Sequence, residues 1–223
     1  MITFNRIYQL FIVNLKLEKI LFFFYKIYLQ LLSFKNIFFF NINIETSFSS
    51  FWQDQWILRN VFNYRKKGYF IDVGAFDGIS NNNTILFERY YNWTGYCIEP
   101  VDLFFLKLKK FRKSKLINAA ISNSNKKKIK ILEDGQLSRI VNSKNKNIKN
   151  YKFVNNYKLK NFQKKIIDLI DIDCEGFEET VVKSINFKKG IKCIILERPN
   201  YKVHKILKKN HFIFVKRFLF DYI

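Results

Sequence analysis

The sequence is short of the residues that build metal cages and disulfide frameworks. Among 223 residues there are three cysteines, two histidines, two prolines and seven glycines. Cys97, Cys174 and Cys193 are odd in number, have no C-x-x-C spacing and each lie on or beside an apolar run. That pattern excludes a disulfide framework and a zinc site, and it points to a reducing compartment, the cytoplasm. No G-K-[S/T] follows the glycine turn near residue 74, so a P-loop is excluded. No internal repeat of useful length is present, and the length suits one α/β core with one extension.

Acidic residues are also few, 18 against 40 Lys and Arg, for a net charge of +22. Such a balance ordinarily indicates nucleic acid or an anionic membrane. Here Lys, Asn, Ile, Phe and Tyr are inflated together while Gly and Pro are scarce, so compositional bias is the preferred reading. The acids are nevertheless uneven, and six of the 18 fall between Asp168 and Glu179.

Residues 1–46 lack acids almost entirely and are dense in Phe, Leu, Ile and Tyr. No window of about 18 residues is free of charge, because Lys16, Glu18, Lys19, Lys26 and Lys35 interrupt it, so a spanning helix is not expected. No small-residue cleavage site follows a short apolar core, so no cleavable signal is expected. On a helix, Lys19, Lys26, Gln30 and Ser33 form a narrow polar stripe, and Ile20, Phe24, Ile27, Leu31, Phe34 and Phe38 a wide apolar one. That geometry suits a helix lying on a membrane, making peripheral membrane contact an expectation, with packing against the domain as the alternative.

Residues 47–223 read as one α/β domain. Phe70, Ile71 and Val73 form a short buried strand that delivers Asp72, Gly74 and Ala75 to its C-terminal end. A helix over Thr84–Arg89 and a second strand over Tyr96–Ile98, closed by Glu99 and Pro100, complete a βαβ unit with a crevice at its strand ends. Helices are expected over Gln53–Phe62, over Val101–Arg112 with Leu103, Leu106, Leu108 and Phe111 inward, over Glu178–Ser184 and over Tyr201–Leu207. Further strands are expected over Leu116–Ile121, Asp168–Asp173, Ile191–Glu197, Phe212–Val215 and Phe218–Ile223. The Lys- and Asn-rich segment Asn123–Asn161 reads as a polar loop carrying a hairpin or flap around "IKILEDGQLSRIV".

The turn Gly74-Ala75-Phe76-Asp77-Gly78 discriminates between cofactors. Bulky Phe76 stands where a dinucleotide fingerprint needs glycine, and Asp72 and Asp77 would repel a pyrophosphate. S-adenosylmethionine has no phosphate and carries a sulfonium and an ammonium, which acids attract, while Gly74 and Gly78 would let the main chain approach its methionine part. Glu99, 21 residues beyond Gly78, is placed to accept both ribose hydroxyl hydrogens.

Through "QDQWIL", "FIDVGAFDGISNNNT", "WTGYCIEP", "NAAIS", "QLSRIV" and "IDLIDIDCEGFEETVV", in this order, the chain resembles the FkbM family of S-adenosylmethionine-dependent methyltransferases. The resemblance runs from about Gln53 to the C-terminus. It implies a Rossmann-like class I methyltransferase fold, a mostly parallel sheet with helices on both faces and an antiparallel C-terminal strand. It also implies methyl transfer to a hydroxyl, often on a sugar or a secondary metabolite, so a small-molecule or glycan acceptor. Carried over by position, Asp72, Gly74, Ala75, Asp77, Gly78 and the Glu99–Pro100 pair line the cofactor turn and ribose site, Ala119 and Ala120 the adenine wall, and Asp173, Glu175 and Glu178 an acidic signature. Three positions depart from the family's pattern: Asn82 in place of a small serine, Arg139 after the "LS" pair, and Asp171 inside the fourth strand.

Methyl transfer to an alcohol needs alignment and removal of a proton. The fourth strand ends at the same edge as the glycine turn, so Asp173, with Glu175, is the expected base or orienter. Capping of the helix near Glu178 is the competing role for these two acids. Asp171, Asp173 and Glu175 also have oxygen-ligand spacing for a divalent cation, a secondary option without a histidine. His204 and His211 read as packing or surface residues. Two other classes stay open: a nucleic-acid binder or RNA methyltransferase using Lys126–Lys130 and Lys158–Lys165, and a catalytically silent membrane-associated module. The first lacks interleaved aromatics apart from Tyr151, Phe153, Tyr157 and Phe162, and the acidic turn with Glu99 argues against the second.

Overall fold

The computed structural model describes residues 47–134, 138–140, 151–219 and 221–223; the amphipathic stripe read on residues 1–46 lies outside them. The chain runs α1 (Gln53–Asn60), β1 (Tyr69–Val73), α2 (Ile85–Tyr91), β2 (Thr94–Ile98), α3 (Asp102–Phe111), β3 (Lys115–Ile117) and β4 (Ala120–Ile121). It continues through β5 (Lys128–Leu132), β6 (Arg139–Ile140), β7 (Tyr151–Tyr157), β8 (Ile166–Ile172), α4 (Glu178–Val182) and β9 (Gly190–Glu197). It closes with α5 (Tyr201–Lys209), β10 (Arg217–Phe218) and β11 (Asp221–Tyr222).

Seven strands form the main sheet in the order β10-β11-β9-β8-β1-β2-β3. Its five central and outer strands from β9 to β3 are parallel, and β11 is antiparallel to β9. The strand order reverses between β1 and β8, which opens a crevice at their C-terminal ends. Alternation along the central strands sends side chains to two cores. Phe70, Leu169 and Ile195 meet Ile57, Leu58, Phe87 and Leu108 of α1, α2 and α3. Ile71, Val73, Ile170, Ile172 and Leu196 meet Val181, Val182 and Val203 of α4 and α5. Helices therefore cover both faces of an α/β sheet.

Four expectations change. The inward face of α3 is Phe104 and Leu108, whereas Leu103, Leu106 and Phe111 are 60%, 58% and 42% exposed. The inward row is spaced by four and ends on Arg112, so a buried cation takes the place given to Phe111. The strand read over Leu116–Ile121 splits, because β4 leaves the main sheet to pair in parallel with β7. Asn118 stands at the break, its Nδ2 donating to the Glu99 carbonyl at 3.1 Å. The polar segment carries the expected hairpin, β5 against β6, but also β7, which pairs with β5 over five residues. Only Val154 and Asn156 of β7 face inward, while Tyr151, Phe153 and Tyr157 lie exposed, so its apolar residues do not mark the buried face. Finally, Phe212–Val215 is not a strand, and the closing strands are two residues each.

Candidate active site

β1 ends in a turn whose geometry is set by a buried polar network. The Asp72 carboxylate is 2% exposed, and its Oδ2 accepts from Thr84 Oγ1 at 2.6 Å and Asn82 Nδ2 at 2.9 Å. Arg112 reaches in from the end of α3, with Nη1 3.4 Å from Asp72, Nε 3.3 Å from Glu88 and Nη2 donating to Thr84 Oγ1 at 2.8 Å. Asp72 is thus neutralised beneath the turn and not held open toward a ligand. Asn82 explains its own departure from the family pattern: its Oδ1 accepts from Thr84 and Ile85 N–H, each at 2.9 Å, and caps α2.

Gly74 and Gly78 have φ of 86° and 82°, and a Cβ on Gly74 would lie 1.8 Å from the Asp173 carbonyl oxygen. A Cβ on Gly78 would meet Leu108 and Arg112 within 2.8 Å. Close protein packing therefore requires both glycines, independently of any room they leave for a cofactor. Four N–H groups of the turn are paired within the protein. Gly74 and Ala75 both donate to the Ile98 carbonyl, Phe76 to Glu99 Oε2, and Gly78 to the Ala75 carbonyl. Asp77 accepts from Ile79 and Ser80 N–H and from Ser80 Oγ. Burial works to raise the Asp77 pKa, but these bonds and Lys107 hold it below the ordinary value. The N–H groups of Gly74, Ala75, Phe76 and Gly78 are thus already paired within the protein and are not offered to a pyrophosphate.

Glu99, at the end of β2, is 5% exposed and bridges the turn to the start of α3. Its Oε2 accepts from Phe76 N–H at 2.9 Å and its Oε1 from Val101 N–H at 2.8 Å. Each oxygen keeps a second lone pair, the capacity that two neighbouring hydroxyls require. Burial pushes its pKa up to about 7 against those two bonds. Phe76 adopts φ 51° and packs on Phe104 at 4.2 Å between ring centroids. Pro100 is half-buried beside Glu99, and Ala119 and Ala120 are buried at 0% and 5%, with Ala120 packed among Val101 and Phe104.

The six clustered acids divide by task. Asp168, at the opposite strand edge, pairs with Arg65 at 2.6 Å and Lys192 at 2.9 Å. Glu178 accepts from the N–H groups of Cys174 and Gly176 at 3.2 and 3.0 Å, clamping the loop ahead of α4. Glu179 binds Lys183 and Asn200. Asp171 is buried beside Asp72, its register partner across β1 and β8, and accepts from Asn83 Nδ2 at 3.2 Å. Asp173 and Glu175 remain at the crevice, and with Glu197 from the end of β9 they bring ligand oxygens within 4.8 Å of one another. The third member of that cluster is Glu197 and not Asp171, a correction to the spacing argument, which counted along one strand and not across two.

The Asp173 side chain reaches the surface at the crevice, yet desolvation by the surrounding protein, and then Glu197 hydrogen-bonded to it, hold its pKa above the ordinary carboxylate range. Burial, then Asp72 and Asp221, do the same to Asp171. A carboxyl whose folded pKa is raised contributes stability that is complete below about pH 4 and is lost as pH climbs toward the folded value. Asp171→Asn is permanently neutral and keeps the acceptor for Asn83. Its stability relative to the parent is expected to improve from pH 5 to pH 8, by up to about 1.4 kcal/mol per pH unit. Urea denaturation at the two pH values checks this; a difference independent of pH contradicts a protonated Asp171.

Glu197, Arg112 and Asn82 were missed as site residues. Glu197 had a readable signal, since it ends a strand parallel to β8 at the same edge. His204 packs on Tyr222, as a packing residue does. Among the described residues, no helix is long and apolar enough to cross a membrane.

The FkbM methyltransferase domain pattern matches residues 72–221, more than half of the chain. The crystal structure of the methyltransferase FkbM from Methylobacillus flagellatus KT is similar at 14% identity with a TM-score of 0.42, covering 65% of this chain. This chain spans 38% of the length of that protein. No curated protein matches the sequence.

Proposed function

The chain belongs to the FkbM methyltransferase family, and from that premise we propose that it transfers a methyl group from S-adenosylmethionine to a hydroxyl oxygen on a sugar, a glycan or a secondary metabolite. The observation that carries the reading is the pairing, at one crevice, of a turn whose Gly74, Ala75, Phe76 and Gly78 N–H groups are already bonded within the protein and an acidic edge made by Asp173, Glu175 and Glu197. When bound, S-adenosylmethionine supplies an electrophilic methyl group on a sulfonium. Glu99 offers its spare lone pairs to the ribose hydroxyls, the buried Ala119 and Ala120 flank the adenine side, and the acidic edge favours the cationic end. Asp173 accepts the acceptor's hydroxyl proton as the oxygen attacks, and Glu197 tunes it. Asp173, Glu175 and Glu197 are also the residues that would hold a hard divalent cation, which would acidify the hydroxyl directly.

Labelled methyl donor, incubated with the protein and candidate glycans or hydroxylated metabolites, tests the reaction. Label recovered on oxygen supports it; label only on nitrogen, or only on RNA, overturns the acceptor class. The ribose assignment has its own check. Glu99→Gln presents an amide to two backbone donors and forfeits one acceptor oxygen, so S-adenosylmethionine affinity is expected to fall by about 1.5–3 kcal/mol. Unchanged affinity by calorimetry would remove Glu99 from the ribose site.

A further inference from the structure

Away from the crevice, the junction of β4, β5 and β7 holds a depression of about 400 Å³ between the loop 124–127 and the stretch 155–161. We propose that it binds the phosphate ester of a hydroxyl-bearing small molecule, a sugar phosphate being the type. The binding assignment is independent of the methyl-transfer reading.

The wall of this depression is built and not incidental. Asn156, 7% exposed, donates from Nδ2 to the carbonyls of Ser124 and Lys126 at 3.2 and 2.9 Å, and its Oδ1 pairs with Ser122 Oγ at 2.7 Å. Its backbone N–H donates to the Lys127 carbonyl at 2.8 Å. Ser124 and Lys126 N–H close on Ser122 and Ser124 hydroxyls. The loop that carries Lys126 and Lys127 is therefore fixed from beneath by a single satisfied amide. Opposite, Lys158 Nζ is steered by Asn125 Oδ1 at 2.6 Å.

Charge sets the ligand's sign. Lys126, Lys127 and Lys158 all line the depression, no carboxylate does, and none of the ion pairs among the described residues involves these three lysines. Three cations in one concavity without a counter-charge focus a positive field that a dianionic phosphate neutralises. The rest of the lining sets the ligand's body. Asn125, Asn155 and Asn161 offer amides that both donate and accept, which suits hydroxyls. The Tyr157 ring, held edge-on to Phe162 at 5.8 Å, adds a flat wall for a ring. The volume is that of a small-molecule site and exceeds what a bare phosphate fills. The loop is tied to α4 through Asn123 N–H on Thr180 Oγ1 at 3.1 Å, and α4 directly follows the loop bearing Asp173 and Glu175.

Calorimetry on the full chain tests this with glucose 6-phosphate, ribose 5-phosphate and N-acetylglucosamine 1-phosphate, beside the parent sugars and inorganic phosphate. At least one ester is expected to bind about tenfold or more tightly than both its parent sugar and inorganic phosphate. Lys126→Gln with Lys127→Gln is expected to weaken that ester by at least about tenfold. Lys205→Gln with Lys208→Gln, an equal charge change on exposed α5, is expected to leave it within about twofold. No ester exceeding its parent sugar, inorganic phosphate binding as tightly as the best ester, or equal losses in the two double variants would each overturn the proposal.

Discussion

Replacing Asp173 with asparagine is expected to lower turnover by about 10²–10⁴-fold while leaving S-adenosylmethionine affinity nearly unchanged. The substitution keeps size and polarity and removes only basicity. The loop itself does not depend on Asp173, because Glu178 supplies the bonds to the Cys174 and Gly176 N–H groups. The raised pKa gives a second readout. As the proposed base, Asp173 would act only when deprotonated, so kcat/KM is expected to rise with pH along a limb displaced above the ordinary carboxylate value of about 4. Glu197→Gln removes the negative neighbour and adds a donor, which favours the charged form of Asp173; that limb should move to lower pH. If a cation does the work, chelation abolishes activity and added Mg²⁺ restores it, with Glu175 and Glu197 each required. Full activity in Asp173→Asn without any metal dependence would reduce the cluster to a structural role.

Arg112→Leu is expected to destabilise the fold by about 3–5 kcal/mol. The guanidinium is the only cation in the ion pairs of Asp72 and Glu88 among the described residues, and it also donates to Asn82 Oδ1 at 3.1 Å. Leucine keeps the aliphatic stem but leaves Asp72 and Glu88, both taken from water, without their counter-charge, although each keeps neutral hydrogen-bond donors. Adding Asp72→Asn to the Arg112 variant should recover part of the loss, since one stranded charge disappears while Asn82 and Thr84 keep a partner. Urea midpoints of the four proteins in that cycle check both statements. A loss below about 1 kcal/mol in the single variant would mean that the turn is not held by this network.

The order of the elements was legible because the central strands are buried on both faces and read as continuous apolar runs. Where burial is one-sided, the reading failed. β7 offers one apolar inward residue, and α3 carries leucines on its exposed side, where composition and not packing explains them. The candidate site was legible in its strand-end acids, Glu99, Asp173 and Glu175, because strand ends can be located from one sequence. The parts supplied across the sheet or from a helix end could not be, and Arg112 and Glu197 became visible only when topology brought them to Asp72 and Asp173. Gly74 shows the same limit from the other side, since the neighbour that forbids a side chain there is 99 residues further along the chain.

Calorimetric titration of the full chain with S-adenosylmethionine, and separately with NAD, tests the central claim most directly. Saturable one-to-one binding of S-adenosylmethionine with no detectable heat from NAD is the expected result, because the donors that would cradle a pyrophosphate are already paired at Gly74, Ala75, Phe76 and Gly78. Tight NAD binding with none for S-adenosylmethionine would contradict it.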